Sequence, residues 1–153
     1  MSSTIPLFYR FYFLWYEPLA CLLGVYAVFG QPTAYLNSYI PTAITETLDL
    51  THKTLLTQMG AAFLYVGLSQ GLLLRYTSDV GVWKMLNLSL LGWDAILLWG
   101  LWDGLSAQGR LSLDGLRGND LQVIVITAVT TIVRAVFVAG VGLRSAKVVR
   151  KEL

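Results

Sequence analysis

Residues 7–29 read LFYRFYFLWYEPLACLLGVYAVF, an apolar run with one carboxylate, Glu17, near its middle. About 20 apolar residues in a helix cover a hydrocarbon core of ~30 Å, so we predict that this run crosses a membrane. A charge at the bilayer centre costs at least ~2.5 kcal/mol, and Glu17 must therefore face protein or water rather than lipid. Pro18 has no amide hydrogen, which leaves the carbonyl of Leu14 without its helical partner.

The whole chain has the composition of an integral membrane protein. Of its 153 residues, 56% are hydrophobic and 13% are charged, whereas soluble domains carry about 25% charged residues. The single cysteine, Cys21, excludes an intrachain disulfide. The sequence shows no aromatic and basic interleaving and no zinc-finger spacing, so it does not indicate a nucleic-acid-binding protein.

Three further apolar segments complete the predicted architecture. The connections between the segments alternate between long, short and long, which favours antiparallel neighbours. We predict that residues 1–153 form one all-α domain, an antiparallel four-helix bundle in the membrane. Its spans are predicted at about residues 7–29, 54–74, 82–102 and 121–143.

Basic residues predict the orientation of the bundle. Seven lie on the side that holds both termini and three on the other, which places both termini in the cytoplasm. We expect the endoplasmic reticulum as the membrane. The first group is Arg10, Arg75, Lys84, Arg144, Lys147, Arg150 and Lys151, and the second is Lys53, Arg110 and Arg117.

Every predicted span carries one polar stripe, because residues seven apart share a helix face. Lipid cannot satisfy these polar groups, so the four stripes should face one another inside the bundle. The pairs that define the stripes are Arg10 and Glu17, Gln58 and Tyr65, Asn87 and Asp94, and Thr127 and Arg134.

Three ionisable residues are predicted to meet near the midplane. Glu17 and Arg134 each lie about ten residues, or ~15 Å, from the cytoplasmic end of their helices, and Asp94 lies at a similar depth. Two carboxylates facing one guanidinium leave a spare negative charge, which protonation of one acid removes. A neutral acid beside an ionised carboxylate suits general acid and general base catalysis. The alternative is an ionic cluster that only fixes the helix register.

An acid, a base and an arginine in an apolar cavity suit the opening of an epoxide. Proton-initiated terpene cyclisation or isomerisation would use the same acids. No metal site and no cofactor are expected, and the only histidine, His52, is expected to be interfacial. Asp103, Asp114 and Asp120 are expected to be solvated. The candidate catalytic residues are Glu17, Asp94 and Arg134, and the candidate substrate-binding residues are Tyr65, Gln58 and Asn87.

Four motifs carry a resemblance to a known group of proteins. They are residues 5–10 (IPLFYR), Tyr16-Glu17-Pro18, Gln31-Pro32 and residues 76–84 (YTSDVGVWK). With these motifs the chain resembles small fungal four-span membrane proteins of secondary-metabolite pathways. It is similar to membrane hydrolases assigned to epoxide opening in aurovertin- and citreoviridin-like pathways, and more distantly to the membrane terpene cyclases of fungal meroterpenoid pathways. The resemblance implies protonation of an epoxide, and it carries a role over to Glu17 alone.

These observations predict a membrane enzyme that opens an epoxide of a lipophilic metabolite with water or an internal hydroxyl. A proton-initiated cyclase or isomerase is the alternative within catalysis. A lipid-binding, sterol-binding or assembly protein without catalysis is the competing class. The expected partners are a lipophilic small molecule and membrane lipids. The sequence does not decide between a monomer and a homo-oligomer, because Gly60, Gly67 and Gly71 allow close helix contact within or between chains.

Overall fold

The computed structural model describes residues 5–41 and 48–143 and is all-α over this part of the chain. The basic tail from Arg144, on which part of the predicted orientation rests, lies outside the described residues. A 3₁₀ turn at Leu113–Gly115 interrupts the last connection. The helices are α1 (Leu7–Gly30), α2 (Pro32–Asn37), α3 (residues 50–76), α4 (Val80–Ala107) and α5 (Gly118–Val138).

Three of these helices, α1, α4 and α5, are long and apolar enough to cross a membrane. They contain the first and third predicted spans and most of the fourth; α5 ends at Val138, five residues before the predicted end, because the chain turns at Gly140 and Gly142, which have positive φ. Helix α3 covers the second predicted span at residues 54–74, but Gln58, Ser69 and Gln70 lower its hydropathy. Its crossing of the membrane therefore stays a prediction.

Helices α1 and α3 pack antiparallel along most of their length. A Cβ atom added to Gly60 would lie 2.5 Å from Phe29 Cε2, and one added to Gly67 would lie 3.0 Å from Cys21 Cβ. The glycines predicted to permit close helix contact therefore do so within this chain. Because their small size brings the two backbones together, the glycine face of α3 points towards α1.

Both helices contain a π turn at the depth of Glu17. The turns span Tyr12–Tyr16 in α1 and Ser69–Leu73 in α3, and they contact each other. A π turn inserts one residue into a helix and shifts the faces that follow it; such turns are frequent at functional sites. The turn in α1 ends directly before Glu17 and Pro18.

An aromatic core fills the end of the bundle at which α1 begins. The rings of Tyr9 and Phe13 lie 4.9 Å and 5.2 Å from the ring of Phe137, measured between centroids. Trp83 packs against the same ring at 6.2 Å, and its indole N–H donates to the carbonyl of Thr77 at 2.9 Å. This core fixes the starts of α1 and α4 against the end of α5.

Aspartates cap two of the long helices. Asp79 accepts a hydrogen bond from the amide of Gly81 at 2.6 Å at the start of α4. Asp49 accepts one from the amide of His52 at 2.8 Å at the start of α3, and this bond holds the pKa of Asp49 below its ordinary value. His52 thus pairs with Asp49 at a helix end, apart from the bundle interior.

Candidate functional site

The structure brings Glu17, Asp94 and Arg134 together inside the bundle. Arg134 Nη1 donates to both carboxylate oxygens of Asp94 at 2.5 Å. Arg134 Nη2 lies 3.3 Å from Glu17 Oε1. All three residues are at most 4% exposed. The guanidinium of α5 therefore links carboxylates from α1 and α4.

The two carboxylates differ in how firmly they are held. Asp94 is fixed by charge-assisted hydrogen bonds, the strongest class in proteins. Neither oxygen of Glu17 has a hydrogen-bond partner of standard geometry within the described residues. Buried polar groups without partners are rare in folded proteins and are associated with strain, catalysis or bound solvent. Glu17 is thus the less constrained acid.

Gln70 is a buried neighbour of Glu17 that the sequence reasoning missed. It is 0% exposed, and neither polar atom of its amide has a hydrogen-bond partner among the described residues. Its side chain is near enough to interact with the Glu17 carboxyl, although no standard hydrogen bond joins them. A glutamine within an apolar segment, next to Gly71, was the available signal.

A cavity of about 270 Å³, which we call the inner cavity, opens beside Glu17 and Arg134. Asp94 does not line it. Ala20, Met59 and Ile126 contribute apolar surface, and Thr130 contributes a hydroxyl. This combination of an apolar wall with a few convergent polar groups is typical of small-molecule sites. The aromatic residues that line the inner cavity are Tyr16, Tyr35, Tyr39 and Phe63.

A hydrogen bond between Tyr12 and Thr130 lies between the ionic cluster and the aromatic core. The Tyr12 hydroxyl and Thr130 Oγ1 lie 3.0 Å apart and connect α1 to α5 next to the ionic cluster. Tyr12 itself is 8% exposed. The contact therefore fixes the spacing between the helices that carry Glu17 and Arg134.

The three predicted substrate-binding residues lie elsewhere. Tyr65 is 69% exposed and Gln58 is also exposed, so both lie on the outer face of α3 and the prediction of an inward stripe there is wrong. The reason is that the glycine face of α3, rather than its polar stripe, packs on α1. Asn87 is buried as predicted, but its amide donates to the carbonyl of Trp83 in its own helix at 2.9 Å, and it does not line the inner cavity.

A second cavity, which we call the outer cavity, has a volume of about 300 Å³ and adjoins the inner one. It lies between α4, α5 and the residues that follow α2. Gly100, Gly104, Gln108 and Asp120 line its remote part. The residues that line both cavities are Tyr39, Leu97, Val123 and Thr127.

A second ionic cluster lies at one end of the outer cavity, where Asp120 lines the wall. Asp120, expected to be solvated, is instead 3% exposed and pairs with Arg110 and with Arg117, whose Nη2 lies 2.9 Å away. Arg117 also donates to Asn37 Oδ1 at 3.1 Å, which connects this cluster to α2. Sequence reasoning missed this burial, because it depends on the packing of the loop before α5 against Asn37 and Tyr39, which lie in a segment distant in sequence.

The described residues contain no group of three or more His, Cys, Asp or Glu side chains arranged to hold a metal ion.

Comparison with known proteins gives one assignment. No curated protein and no solved structure matches the chain. A family model matches residues 2–144, almost the entire sequence. The chain belongs to the family described as a domain of unknown function, DUF7704.

Proposed function

We propose that this protein is a membrane enzyme that opens an epoxide of a lipophilic metabolite, with Glu17 as the proton donor. One observation carries the proposal. Glu17 is a buried carboxyl that faces an apolar cavity and lacks hydrogen-bond partners of standard geometry, while a buried arginine lies 3.3 Å away. A carboxyl in a membrane interior is a functional candidate by default.

The proposal assigns different roles to the two acids. Asp94 lies outside the inner cavity and binds Arg134 through both oxygens, so it acts as the ionised partner that positions the guanidinium. Burial of a second negative charge beside a single arginine is costly. The proton that removes this charge therefore belongs on Glu17, the carboxyl that reaches the substrate.

The reaction balances with these groups. Glu17 transfers its proton to the epoxide oxygen while one carbon–oxygen bond breaks and a water or substrate hydroxyl attacks that carbon. The conjugate carboxylate of Glu17 is then stabilised by the adjacent Arg134, which its ion pair with Asp94 holds in place. The attacking oxygen releases a proton that restores Glu17. The product is a diol with water, or a cyclic ether with an internal hydroxyl.

Isotope labelling tests the reaction class. Membranes from a host that expresses the protein are incubated with a panel of polyene and terpene epoxides in oxygen-18 water. A diol with one labelled oxygen supports hydrolysis, and a cyclic ether without label supports attack by an internal hydroxyl. A rearranged product that keeps the substrate formula without ether formation contradicts epoxide opening by an oxygen nucleophile. Formation of the same products by Arg134→Met, at an unchanged rate, contradicts the assigned roles.

A second candidate is supported by the aromatic lining of the inner cavity. Tyr16, Tyr35, Tyr39 and Phe63 surround the space next to Glu17, and aromatic faces stabilise cations. Protonation by Glu17 would then start a carbocation cyclisation or a double-bond isomerisation. Products without solvent oxygen, formed from an olefin as well as from an epoxide, would favour this reaction.

A binding protein without catalysis is the third candidate, with a lipid or sterol in the inner cavity. The apolar residues of that cavity support it as well. Retained ligand affinity in Glu17→Gln, with no conversion by any form of the protein, would favour this class.

The proposed topology has four crossings of the endoplasmic reticulum membrane, and both termini lie on its cytoplasmic side. Two facts support the alternating direction of the helices: α3 packs antiparallel along α1, and Lys84 lies beside Gly140 at the same end of the bundle. The cytoplasmic side rests on the distribution of basic residues. Glycosylation acceptor sites inserted at Ser38 and at Thr77 test it, since only the former should be modified. Modification at Thr77 instead would place the termini on the luminal side and contradict the proposed orientation.

A further inference from the structure

The inner and outer cavities are neighbours and together make an elongated region along α4 and α5. Tyr39, Leu97, Val123 and Thr127 line both, so their side chains stand between the two spaces. The inner cavity ends at Glu17 and Arg134, and the outer one reaches Gln108 and Asp120. A ligand at Glu17 that passes Leu97 would enter the outer cavity.

The length of this region follows from helix geometry. Arg134 and Asp120 are fourteen residues apart in α5, which corresponds to ~21 Å along the helix axis. The wall of the outer cavity is apolar at Ile96 and Leu101, and Gln108 and Asp120 provide polar atoms at its far end. The region thus fits a long apolar molecule better than a compact one.

Two glycines of α4 keep the outer cavity open. A Cβ atom added to Gly100 would have no neighbouring atom within 4 Å, and one added to Gly104 would meet only Gln108 Nε2 at 4.0 Å. Both glycines line the outer cavity. Gly100 is itself exposed, so a large side chain there would occupy the open side of this cavity without displacing the packing of the helix.

We propose that the site binds an elongated apolar substrate, with its reactive group at Glu17 and its remote end in the outer cavity, and that Gly100 sets the permitted length. This inference rests on the proposed function, because it assigns the reactive end to Glu17. The occupant of the outer cavity is the tail of the substrate. The acyl chain of a membrane lipid has similar chemistry and is distinguished by the test.

Photoaffinity labelling tests the position of the tail without requiring turnover. The probes are a long 1,2-epoxyalkane with a diazirine at the end remote from the epoxide, and a phosphatidylcholine with a diazirine in one acyl chain. The full-length protein is labelled in membranes, and the modified peptides are mapped. The epoxyalkane should label α4 near Gly104, and an excess of unlabelled epoxyalkane should prevent this.

Variants at two open glycine positions provide the matched comparison. Gly100→Phe should abolish the labelling, whereas Gly92→Phe should retain it, because a Cβ atom at Gly92 also meets nothing within 4 Å but Gly92 lines neither cavity. In turnover assays, Gly100→Phe should lower kcat/KM at least about tenfold for the long epoxyalkane, because buried methylene groups lose their site. For an epoxyalkane short enough for the inner cavity, the loss in Gly100→Phe should be smaller, and Gly92→Phe should keep the wild-type rate with both substrates.

The outcomes separate this inference from the proposed reaction. Labelling at Gly104 without conversion of any epoxide would support the elongated site and contradict the reaction. Equal labelling or equal long-chain turnover in the Gly100 and Gly92 variants would overturn the inference. Labelling of the same peptide by the phospholipid, without competition by the epoxyalkane, would assign the outer cavity to lipid and overturn it as well.

Discussion

Arg75 donates a hydrogen bond from Nη2 to the carbonyl oxygen of Leu14 at 2.7 Å, and thereby supplies the partner that Pro18 cannot. Its Nη1 also donates to the carbonyl of Gly71 inside the π turn of α3. The guanidinium carbon lies 4.6 Å from the centre of the Trp15 ring. One side chain therefore connects the π turns that precede Glu17 and surround Gln70.

Arg75→Met is expected to destabilise the protein, because two backbone carbonyls lose a charged donor. Hydrogen bonds to charged groups contribute about 1.5–3 kcal/mol, and partial exposure of Arg75 favours the low end. Thermal unfolding of the purified protein in detergent measures the effect as a lower Tm. Arg75→Lys should give an intermediate Tm, since one ammonium group cannot reproduce the planar fork of donors. A Tm of Arg75→Met equal to wild type would contradict the proposed link.

Gln70→Leu is expected to reduce conversion while it preserves stability. Leucine removes a buried amide that has no hydrogen-bond partner among the described residues, so Tm should not fall. Glu17 loses its amide neighbour, and misplacement of a reacting group lowers turnover by up to about 100-fold. The measurement is the rate of conversion alongside the Tm of the same preparation. An unchanged rate would show that Gln70 does not position Glu17.

Gly67→Val is expected to separate α3 from α1. The added Cβ would lie 3.0 Å from Cys21 Cβ, and overpacking of this kind costs about 1–3 kcal/mol. Gly92→Val is the matched control, because its added Cβ meets nothing within 4 Å. Thermal unfolding in detergent should show a lower Tm for the first variant only. Equal Tm values would contradict the close packing of the two helices.

Asp120→Asn is expected to weaken the second ionic cluster, formed by Asp120 with Arg110 and Arg117. The change leaves Arg110 and Arg117 without their shared carboxylate, and breaking a buried ion pair costs about 3 kcal/mol. Asp114→Asn is the control, because Asp114 is exposed in the 3₁₀ turn. The two variants are compared by Tm in detergent. A loss of equal size in both would indicate a general charge effect rather than an effect of this cluster.

The ionic cluster can be predicted from the sequence because the membrane restricts where a charged side chain can lie. A buried charge needs a partner at its own depth, and counting residues along each helix puts Glu17, Asp94 and Arg134 at similar depths. The structure brings these three residues together. The same reasoning predicts the all-α fold and the helical segments to within a few residues.

The same periodicity fails for α3. Gln58 and Tyr65 share a face of α3, but the glycines decide which face packs on α1, and both polar side chains remain exposed. The π turn at Ser69–Leu73 then shifts the phase and turns Gln70 inwards. Strict seven-residue counting cannot register such an insertion. Contacts between distant segments, as in the Arg75 and Leu14 hydrogen bond, also leave no local pattern.

The central claim is that Glu17 delivers the proton, and Glu17→Gln tests it most directly. The amide keeps the size of the side chain but cannot act as a general acid. Conversion of an epoxide substrate by this variant is compared with wild type and with Met85→Leu, a substitution on the exposed face of α4. We predict a loss of about 10²- to 10⁴-fold for Glu17→Gln at normal expression, and no loss for Met85→Leu. A Glu17→Gln rate within about threefold of wild type would contradict the account, since general acid catalysis contributes far more than that.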